Sequence, residues 1–142
     1  MMFFCDGSEE GIGESSVLKW LENSGTNSIV ITSSTGYTYE NYARDAVAVS
    51  DIISEKYKCY APVSFSGWSA GGGTAIKTFI EYTSTHPEMK GQPCIYWFDS
   101  VSDLISTPEE RRKVLLGDDG SGVGYEMFKK YNPILYNFRS ET

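Results

Sequence analysis

Short apolar runs alternate along this chain with longer stretches in which apolar and polar residues are mixed. Parallel strands need long crossover connections that are usually helical, so this alternation predicts a parallel sheet covered by helices. The apolar runs are rich in β-branched and aromatic residues and are bounded by Gly, Pro, Asp or Ser, as buried strands are. Four of them are predicted strands: Met1–Cys5, Ser28–Thr32, Val63–Gly67 and Cys94–Asp99.

Three of the intervening stretches carry apolar or small residues at the i, i+3, i+4 spacing of a helix that lies on a sheet. They are Ser15–Asn23, Tyr39–Tyr57 and Ala70 to about Thr85. The first ends in Asn-Ser-Gly, which is typical of a helix C-terminus. Thr38 is a candidate N-cap of the second, and Pro87 forbids continuation of the third.

The last third of the chain has a less regular pattern. A short helix is predicted to start at Pro108, residues 117–124 form a polar glycine loop, and residues 125–131 have a helical pattern. At 142 residues the chain has the usual length of one domain. We therefore expect a single domain over residues 1–142, in which residues 106–131 are a candidate cap or lid.

Composition limits the classes of partner. Hydrophobic residues make up 40% of the chain and aromatic residues 14%, which predicts a folded protein. The formal net charge of -7 disfavours nucleic acid and anionic membrane surfaces. No apolar run approaches the roughly 20 residues of a membrane span, and the run Met1–Cys5 is too short for a signal sequence. We therefore expect a soluble, cytosolic protein.

The cysteines and the histidine indicate no metal chemistry. Three cysteines at wide spacing and one histidine form neither a disulfide framework nor a zinc site. The glycine loop at residues 117–122 lacks the alternating oxygen ligands of an EF-hand. We therefore expect no metal and no cofactor.

The alternation of strands and helices also predicts where a ligand would bind. It implies right-handed crossovers and an α/β fold, a doubly wound, mainly parallel sheet with helices on both faces. Ligands bind such sheets at the carboxyl ends of the strands, where the strand order reverses. The loops after the first and third strands, which begin at Asp6 and Gly67, are therefore the places for a site.

The third predicted strand runs into the third predicted helix through Gly67-Trp68-Ser69-Ala70-Gly71. This is the pattern G-x-S-x-G in the strand-to-helix context that gives it meaning. Glycines two residues before and after the serine keep Cβ atoms out of a crowded turn, so Gly67 and Gly71 are what the geometry requires. Ser69 is then a candidate nucleophile, and the Ala70 amide at the helix N-terminus is a candidate oxyanion donor.

The same turn has a simpler interpretation, a tight strand-to-helix connection that happens to contain serine. Two phosphate-binding motifs fail on their side chains. A P-loop needs lysine where Thr74 stands, and the dinucleotide-binding fingerprint needs glycine where Ser69 stands. Trp68, beside the candidate nucleophile, is expected to pack under the turn.

With the elbow formed by residues 67–72, the chain resembles the α/β-hydrolase superfamily, in particular its esterase, thioesterase and haloperoxidase-like members. The resemblance extends from Phe3 to about Leu135 and matches the four predicted strands to the third to sixth strands of that fold. It implies the strand order 2-1-3-4 for the strands of this chain.

The resemblance also implies which residues accompany the serine. It places Asp6-Gly7 beside Ser69, where the family's oxyanion loop supplies its second amide. Gly7 or Ser8 is then the second donor, with an ordinary Asp-Gly turn as the alternative. Some members carry their acid after the strand that matches the fourth one here, so Asp99, and less favourably Asp103, is a candidate acid. A turn cap and a solvated carboxylate are the structural alternatives.

The pattern contains no base for the serine. His86, the one histidine, lies about 17 residues along the helix from Ser69, roughly 25 Å at 1.5 Å per residue, and is interpreted as a solvated side chain. The family's histidine follows a final strand, and Asn132–Leu135 resembles the segment before the family's seventh strand. We therefore expect the usual acid and the histidine to fall beyond Thr142, which leaves an incomplete core.

Three functions remain open. The first is acyl transfer by a serine hydrolase, on a small neutral or cationic ester, thioester or amide, with the base and acid on further sequence or a partner chain. The second is a non-catalytic hydrolase-like module that binds a ligand or protein in the same cleft. The third is a flavodoxin-like binding domain, because that fold shares the order 2-1-3-4. The first is favoured, and self-association or a partner chain is a candidate for completing the sheet.

Overall fold

The computed structural model describes residues 2–6, 19, 22–25, 28–32, 39–58, 64–68, 71–98, 109 and 122–139. Within them the chain forms five strands and three helices whose bounds are described. The strands are β1 (Met2–Asp6), β2 (Ser28–Thr32), β3 (Ser64–Trp68), β4 (Cys94–Phe98) and β5 (Ile134–Phe138), and the helices are α1 (Tyr39–Tyr57), α2 (Gly71–Thr85) and α3 (Val123–Tyr131).

All five strands belong to one parallel sheet with the order β2-β1-β3-β4-β5. The predicted α/β fold and the predicted order 2-1-3-4 are therefore confirmed. Asp6, the last residue of β1, lies opposite Thr32 in β2 and opposite Trp68 in β3. These three strands thus end at the same level, and their carboxyl ends lie side by side along one end of the sheet.

The prediction of four strands is wrong by one, because residues 134–138 form a fifth. Sequence reasoning places Ile134 and Leu135 in a segment that precedes a strand. In the structure Ile134 lies opposite Cys94, and its amide donates a hydrogen bond to the carbonyl of Pro93 at 3.0 Å. The run Ile-Leu-Tyr-Asn-Phe is itself apolar and aromatic, so it has the composition of a strand.

The predicted boundaries otherwise agree with the structure to within two residues. Strands β1 and β3 are displaced by one residue, β4 ends one residue earlier, and α3 begins two residues earlier, inside the predicted glycine loop. Of the first predicted helix, Lys19, Glu22 and Asn23 are helical, and Gly25 has the positive φ of 69° expected at a helix end. The predicted helix starts at Thr38 and Pro108 lie outside the described residues.

The hydrophobic core lies between the sheet and the three helices. Phe65 of β3 stacks on Phe3 of β1 with ring centroids 5.5 Å apart and meets Phe79 of α2 edge-on at 5.5 Å. Alternate residues of a strand point to opposite faces, so these strand residues mark the sheet face that the helices cover. The cluster consists of Phe3, Ala46, Val47, Phe65, Ala75, Ile76, Phe79, Ile95, Trp97 and Tyr131.

Helix α3 packs on this core with the side chains that face α2 and the sheet. Phe128 meets Phe79 edge-on at 4.9 Å, and Tyr131 is buried. Helix α3 is the described end of the segment 106–131, which the sequence suggests as a cap or lid. For the remainder of that segment, of which the structure describes only Glu109 and Gly122, a cap role stays a prediction.

Helix α2 is buried although it is rich in threonine. Two of its buried hydroxyls are satisfied within the helix itself, because Thr78 donates to the carbonyl of Thr74 at 2.8 Å and Thr83 donates to that of Phe79 at 2.6 Å. Such bonds to the preceding turn let a hydroxyl be buried without a partner on another element. None of the helices in the described ranges is long and apolar enough to cross a membrane.

A polar contact joins the middle part of α1 to the C-terminal end of α2. Nε2 of His86, just beyond α2, donates to Oδ1 of Asp51 on α1 at 2.6 Å, and Nδ1 lies 2.8 Å from the carbonyl of Tyr82. The imidazole stacks on the Tyr82 ring at 4.0 Å and is 16% exposed, so the interpretation of His86 as simply solvated is wrong. Burial, followed by the charges of Asp51 and Glu88, raises the pKa of the Tyr82 phenol.

We expect His86→Ala to lower the free energy of unfolding by about 1–2 kcal/mol, because it removes the hydrogen bond to Asp51 and the ring stack on Tyr82. Urea unfolding of both proteins measures this difference. Lys58→Ala is the control: it removes the exposed ion pair with Glu55, 2.7 Å long, and is expected to cost under about 1 kcal/mol. Equal losses in the two variants would contradict a structural role for His86.

Candidate active site

The connection between β3 and α2 is a sharp strand-to-helix turn. Strand β3 ends at Trp68 and helix α2 begins at Gly71, so two residues separate them. A Cβ atom built on Gly67 would lie 2.3 Å from the carbonyl oxygen of Gly71 and 2.6 Å from the amide nitrogen of Gly72. Both are backbone atoms that cannot swing away, so only glycine fits at position 67. The backbone of Gly67 therefore lies in close contact with that of Gly71, and the role of both residues as elbow glycines stays a prediction.

Trp97 of β4 also contacts the first turn of α2. It lies opposite Gly67 in the sheet register, and its indole Nε1 donates to the carbonyl of Gly72 at 3.2 Å. The side chain is buried, and Gly71, Gly72 and Gly73 are buried with it. Sequence reasoning misses this residue, since Trp97 reads only as one aromatic residue in a buried strand. The indole thus ties the start of the helix to the neighbouring strand.

The last residues of three neighbouring strands meet at this edge of the sheet. Trp68 at the end of β3 lies opposite Asp6 at the end of β1 and opposite Phe98 at the end of β4. Because the strands are parallel and end level, the residues that follow them begin from adjacent positions. This is the edge where ligands bind in open α/β sheets.

Each candidate residue follows one of these strand ends in the sequence. Gly7 follows β1, Ser69 follows β3 and Asp99 follows β4. Ser69, Ala70, Gly7 and Asp99 themselves lie outside the described residues, as do Ser8 and Asp103. Their roles as nucleophile, oxyanion donors and acid therefore stay predictions. The structure brings together the strand ends that lead into them.

His86 lies far from this edge. It follows the last residue of α2, which begins at Gly71, so at 1.5 Å per residue the two ends of the helix are about 21 Å apart. Both of its ring nitrogens are engaged near the end of α2, one by Asp51 and one by the Tyr82 carbonyl. Its exclusion as a base for Ser69 agrees with this geometry.

Comparison with solved structures finds esterases. The carboxylesterase Cest-2923 from Lactobacillus plantarum WCFS1 matches with a TM-score of 0.55 at 15% identity, over 98% of this chain and 70% of that one. A lipase/esterase from Lactobacillus plantarum matches with a TM-score of 0.54 at 13% identity, over 99% of this chain and 76% of that one. No protein-family model matches the sequence, and the curated proteins give no significant match.

At these identities the likeness shows the fold alone, and the fold is the one that the sequence resemblance implies. The chain has the α/β architecture of the matched esterase structures, with one more strand than the four predicted. The observed order β2-β1-β3-β4-β5 is also that of flavodoxin-like sheets, so the strand order does not separate the two folds. The matches to esterase structures favour the hydrolase-like fold over the flavodoxin-like fold.

We expect Gly67→Ala to lower the free energy of unfolding by about 3 kcal/mol or more, because the new methyl group meets backbone that cannot move aside. Urea unfolding monitored by tryptophan fluorescence measures the loss. In the control Gly25→Ala the added methyl meets no atom within 4 Å, and only the strain of the left-handed φ remains, about 1–2 kcal/mol. A Gly67→Ala variant as stable as that control would contradict the tight backbone contact at Gly67.

Two replacements of Trp97 separate its hydrogen bond from its packing. Trp97→Phe keeps a buried ring and loses the donor to Gly72, so we expect a loss of about 1 kcal/mol. Trp97→Ala also leaves a cavity, and we expect a loss of about 3–5 kcal/mol. Denaturant titration of the two variants and the native chain tests this order. If Trp97→Phe were as damaging as Trp97→Ala, the hydrogen bond would dominate and the packing argument would be wrong.

Proposed function

We propose that this chain carries the nucleophile half of a serine hydrolase, in which Ser69 attacks the carbonyl carbon of an ester, thioester or amide. The observation that carries the proposal is the backbone contact between Gly67 and Gly71, with β3 ending and α2 beginning only two residues apart. A serine between two such glycines lies on the tight turn that a nucleophile elbow requires. The esterase-like fold supports the same class of reaction.

In the proposed reaction the Ser69 oxygen forms a bond to the acyl carbon while the carbonyl π bond opens and the serine proton passes to a base. The bond to the alcohol, thiol or amine then breaks, that group leaves with the proton, and water releases the acyl group from Ser69. The negative charge that develops on the carbonyl oxygen is held by the amides of Ala70 and Gly7. Two features of the described structure support these donors. Helix α2 starts at Gly71 and directs the positive end of its dipole toward the turn, and β1 ends level with β3 at Asp6 and Trp68.

The activity of this chain by itself depends on whether it contains a base that can accept the Ser69 proton. Its one histidine, His86, is bonded to Asp51 and the Tyr82 carbonyl at the far end of α2. Asp99 is proposed as the orienting acid because it follows β4, next to the elbow strand. Loss of the histidine from a complete triad costs on the order of 10⁶ in turnover and leaves about 10³–10⁴ over water. We therefore propose that a base from a partner chain or from further sequence completes the site.

The second candidate is a non-catalytic module that binds a ligand at the same strand ends. The remote position of the one histidine favours it, because binding needs no base. In either case the formal net charge of -7 favours small neutral or cationic ligands over anionic ones. The two candidates differ in one measurable property, the reactivity of the Ser69 hydroxyl.

Labelling with a fluorophosphonate probe tests the proposal. We expect slow labelling of the native chain that is absent from Ser69→Ala and unchanged in Ser84→Ala, whose hydroxyl is exposed and bonded to the Glu81 carbonyl at 3.1 Å. Mass spectrometry of the labelled peptide identifies the site. Circular dichroism and urea unfolding must first show that all three proteins are folded. A longer native product is labelled in parallel, because it can supply the missing base. Labelling of Ser69 in neither folded protein contradicts the hydrolase proposal and favours the binding module.

A further inference from the structure

Both ring nitrogens of His86 face hydrogen-bond acceptors. Nδ1 lies 2.8 Å from the carbonyl oxygen of Tyr82, and Nε2 lies 2.6 Å from Oδ1 of Asp51. A carbonyl has no proton to give. The Asp51 side chain is 54% exposed, and an exposed carboxylate is ionised at neutral pH and also only accepts. Each ring nitrogen must therefore carry a proton, and an imidazole with two N–H groups is the cation.

The hydroxyl of Thr85 is an acceptor toward the ring as well. Its oxygen lies 3.0 Å from Nδ1 of His86, and it donates its own proton to the carbonyl of Glu81 at 2.7 Å. It therefore presents a lone pair to the ring and shares the Nδ1 proton with the carbonyl of Tyr82. This contact, like the two above, requires the ring to donate.

The surroundings of the ring also favour a positive charge. The imidazole lies flat on the Tyr82 ring, with centroids 4.0 Å apart and planes 5° apart, and an aromatic face attracts a cation. His86 directly follows α2, whose C-terminus carries the negative end of the helix dipole. Burial, followed by the charges of Asp51 and Glu88, raises the pKa of the Tyr82 phenol. That phenol therefore stays neutral over the pH range in which an imidazole titrates.

We propose that His86 is a proton-dependent latch between α1 and α2. While the ring is a cation, it binds the Asp51 carboxylate on α1 and the Tyr82 carbonyl on α2 at the same time. Histidine is the side chain whose charge ordinarily changes between about pH 5 and 8, so a rise of pH through this range opens the latch. The contact lies at the end of α2 that is remote from Gly67, and the proposal does not depend on the reactivity of Ser69.

Loss of the proton gives up the bond to Asp51. A neutral imidazole has one N–H group, so one of its nitrogens then turns a lone pair toward an acceptor. The Tyr82 carbonyl is one of the last four of α2, which lack an amide partner within the helix, and the backbone holds it in place. Nδ1 therefore keeps its proton. The Asp51 side chain is exposed and can turn to water instead, which separates it from Nε2.

The charge of the ring can be measured directly, because the chain has one histidine. Long-range ¹H–¹⁵N NMR correlation of the ¹⁵N-labelled chain shows which ring nitrogens are protonated. We expect both to be protonated at about pH 6 and Nδ1 alone at about pH 9. In Asp51→Asn we expect the midpoint of this titration to fall by at least about half a pH unit, because the carboxylate is lost. Glu55→Gln is the control and should shift it less, since Glu55 is bonded to Lys58.

A double-mutant cycle in urea measures the latch itself. We expect Asp51→Ala and His86→Ala to be coupled by about five- to tenfold in the unfolding equilibrium constant at about pH 6, and by less than about twofold at about pH 9. The pair of Glu55 and Lys58, 2.7 Å apart and exposed, is the control. Its coupling should be small and the same at both pH values, because a lysine ammonium stays charged over that range.

Each contrary outcome overturns the proposal. A native ring with a single proton at about pH 6 excludes the cation, and a midpoint that Asp51→Asn leaves unchanged excludes the contact as its cause. Equal coupling of Asp51 and His86 at both pH values excludes a dependence on the proton. The NMR measurements need only the native chain and variants at exposed positions, so they decide the question even if His86→Ala does not fold. Neither measurement involves Ser69, so the latch and the proposed function are tested separately.

Discussion

The rest of this molecule depends on the contact between the backbone of Gly67 and that of Gly71. A strand residue and the first residue of a helix approach so closely that a single added carbon would overlap with backbone. This approach ends β3 and starts α2 within two residues, and it sets how near the helix lies to the sheet. Phe79 can then pack on Phe65, and Trp97 can reach the carbonyl of Gly72. The core and the candidate site follow from the same turn.

Much of the fold could be predicted because local patterns of apolar and polar residues indicate most of its strands and helices. Apolar runs mark four strands, the helical spacing over 39–57 gives α1 its observed bounds, and Pro87 limits α2. The fifth strand is missed because the local sequence at Ile134 and Leu135 is compatible both with a strand and with the segment before one. Only their pairing with β4 shows that they form a strand. The role of Trp97 is missed for a similar reason, since its bond to Gly72 depends on register across the sheet.

For the candidate site, the sequence predicts its position in the fold but not the long-range contacts of its side chains. The backbone of Gly67 approaches that of Gly71 closely, and the elbow role that the glycine spacing predicts for them stays a prediction. Strand order predicts that the ends of β1, β3 and β4 are neighbours. Helix length excludes His86 as a base before any coordinates are known. Its contact with Asp51, 35 residues away in sequence, is the kind of long-range pairing that no local pattern encodes. The roles of Ser69 and Asp99 are predicted from the sequence, because both residues lie outside the described ranges.

The strand order also bears on how the sheet can assemble on the ribosome. Strand β2 joins one side of β1, and every later strand then joins at the opposite side, β3 beside β1, β4 beside β3 and β5 beside β4. Domains fold as they are synthesised, with the N-terminal part first. Among the strands in the described ranges, none has to insert between two that have already paired, so lateral growth of the sheet can keep pace with translation.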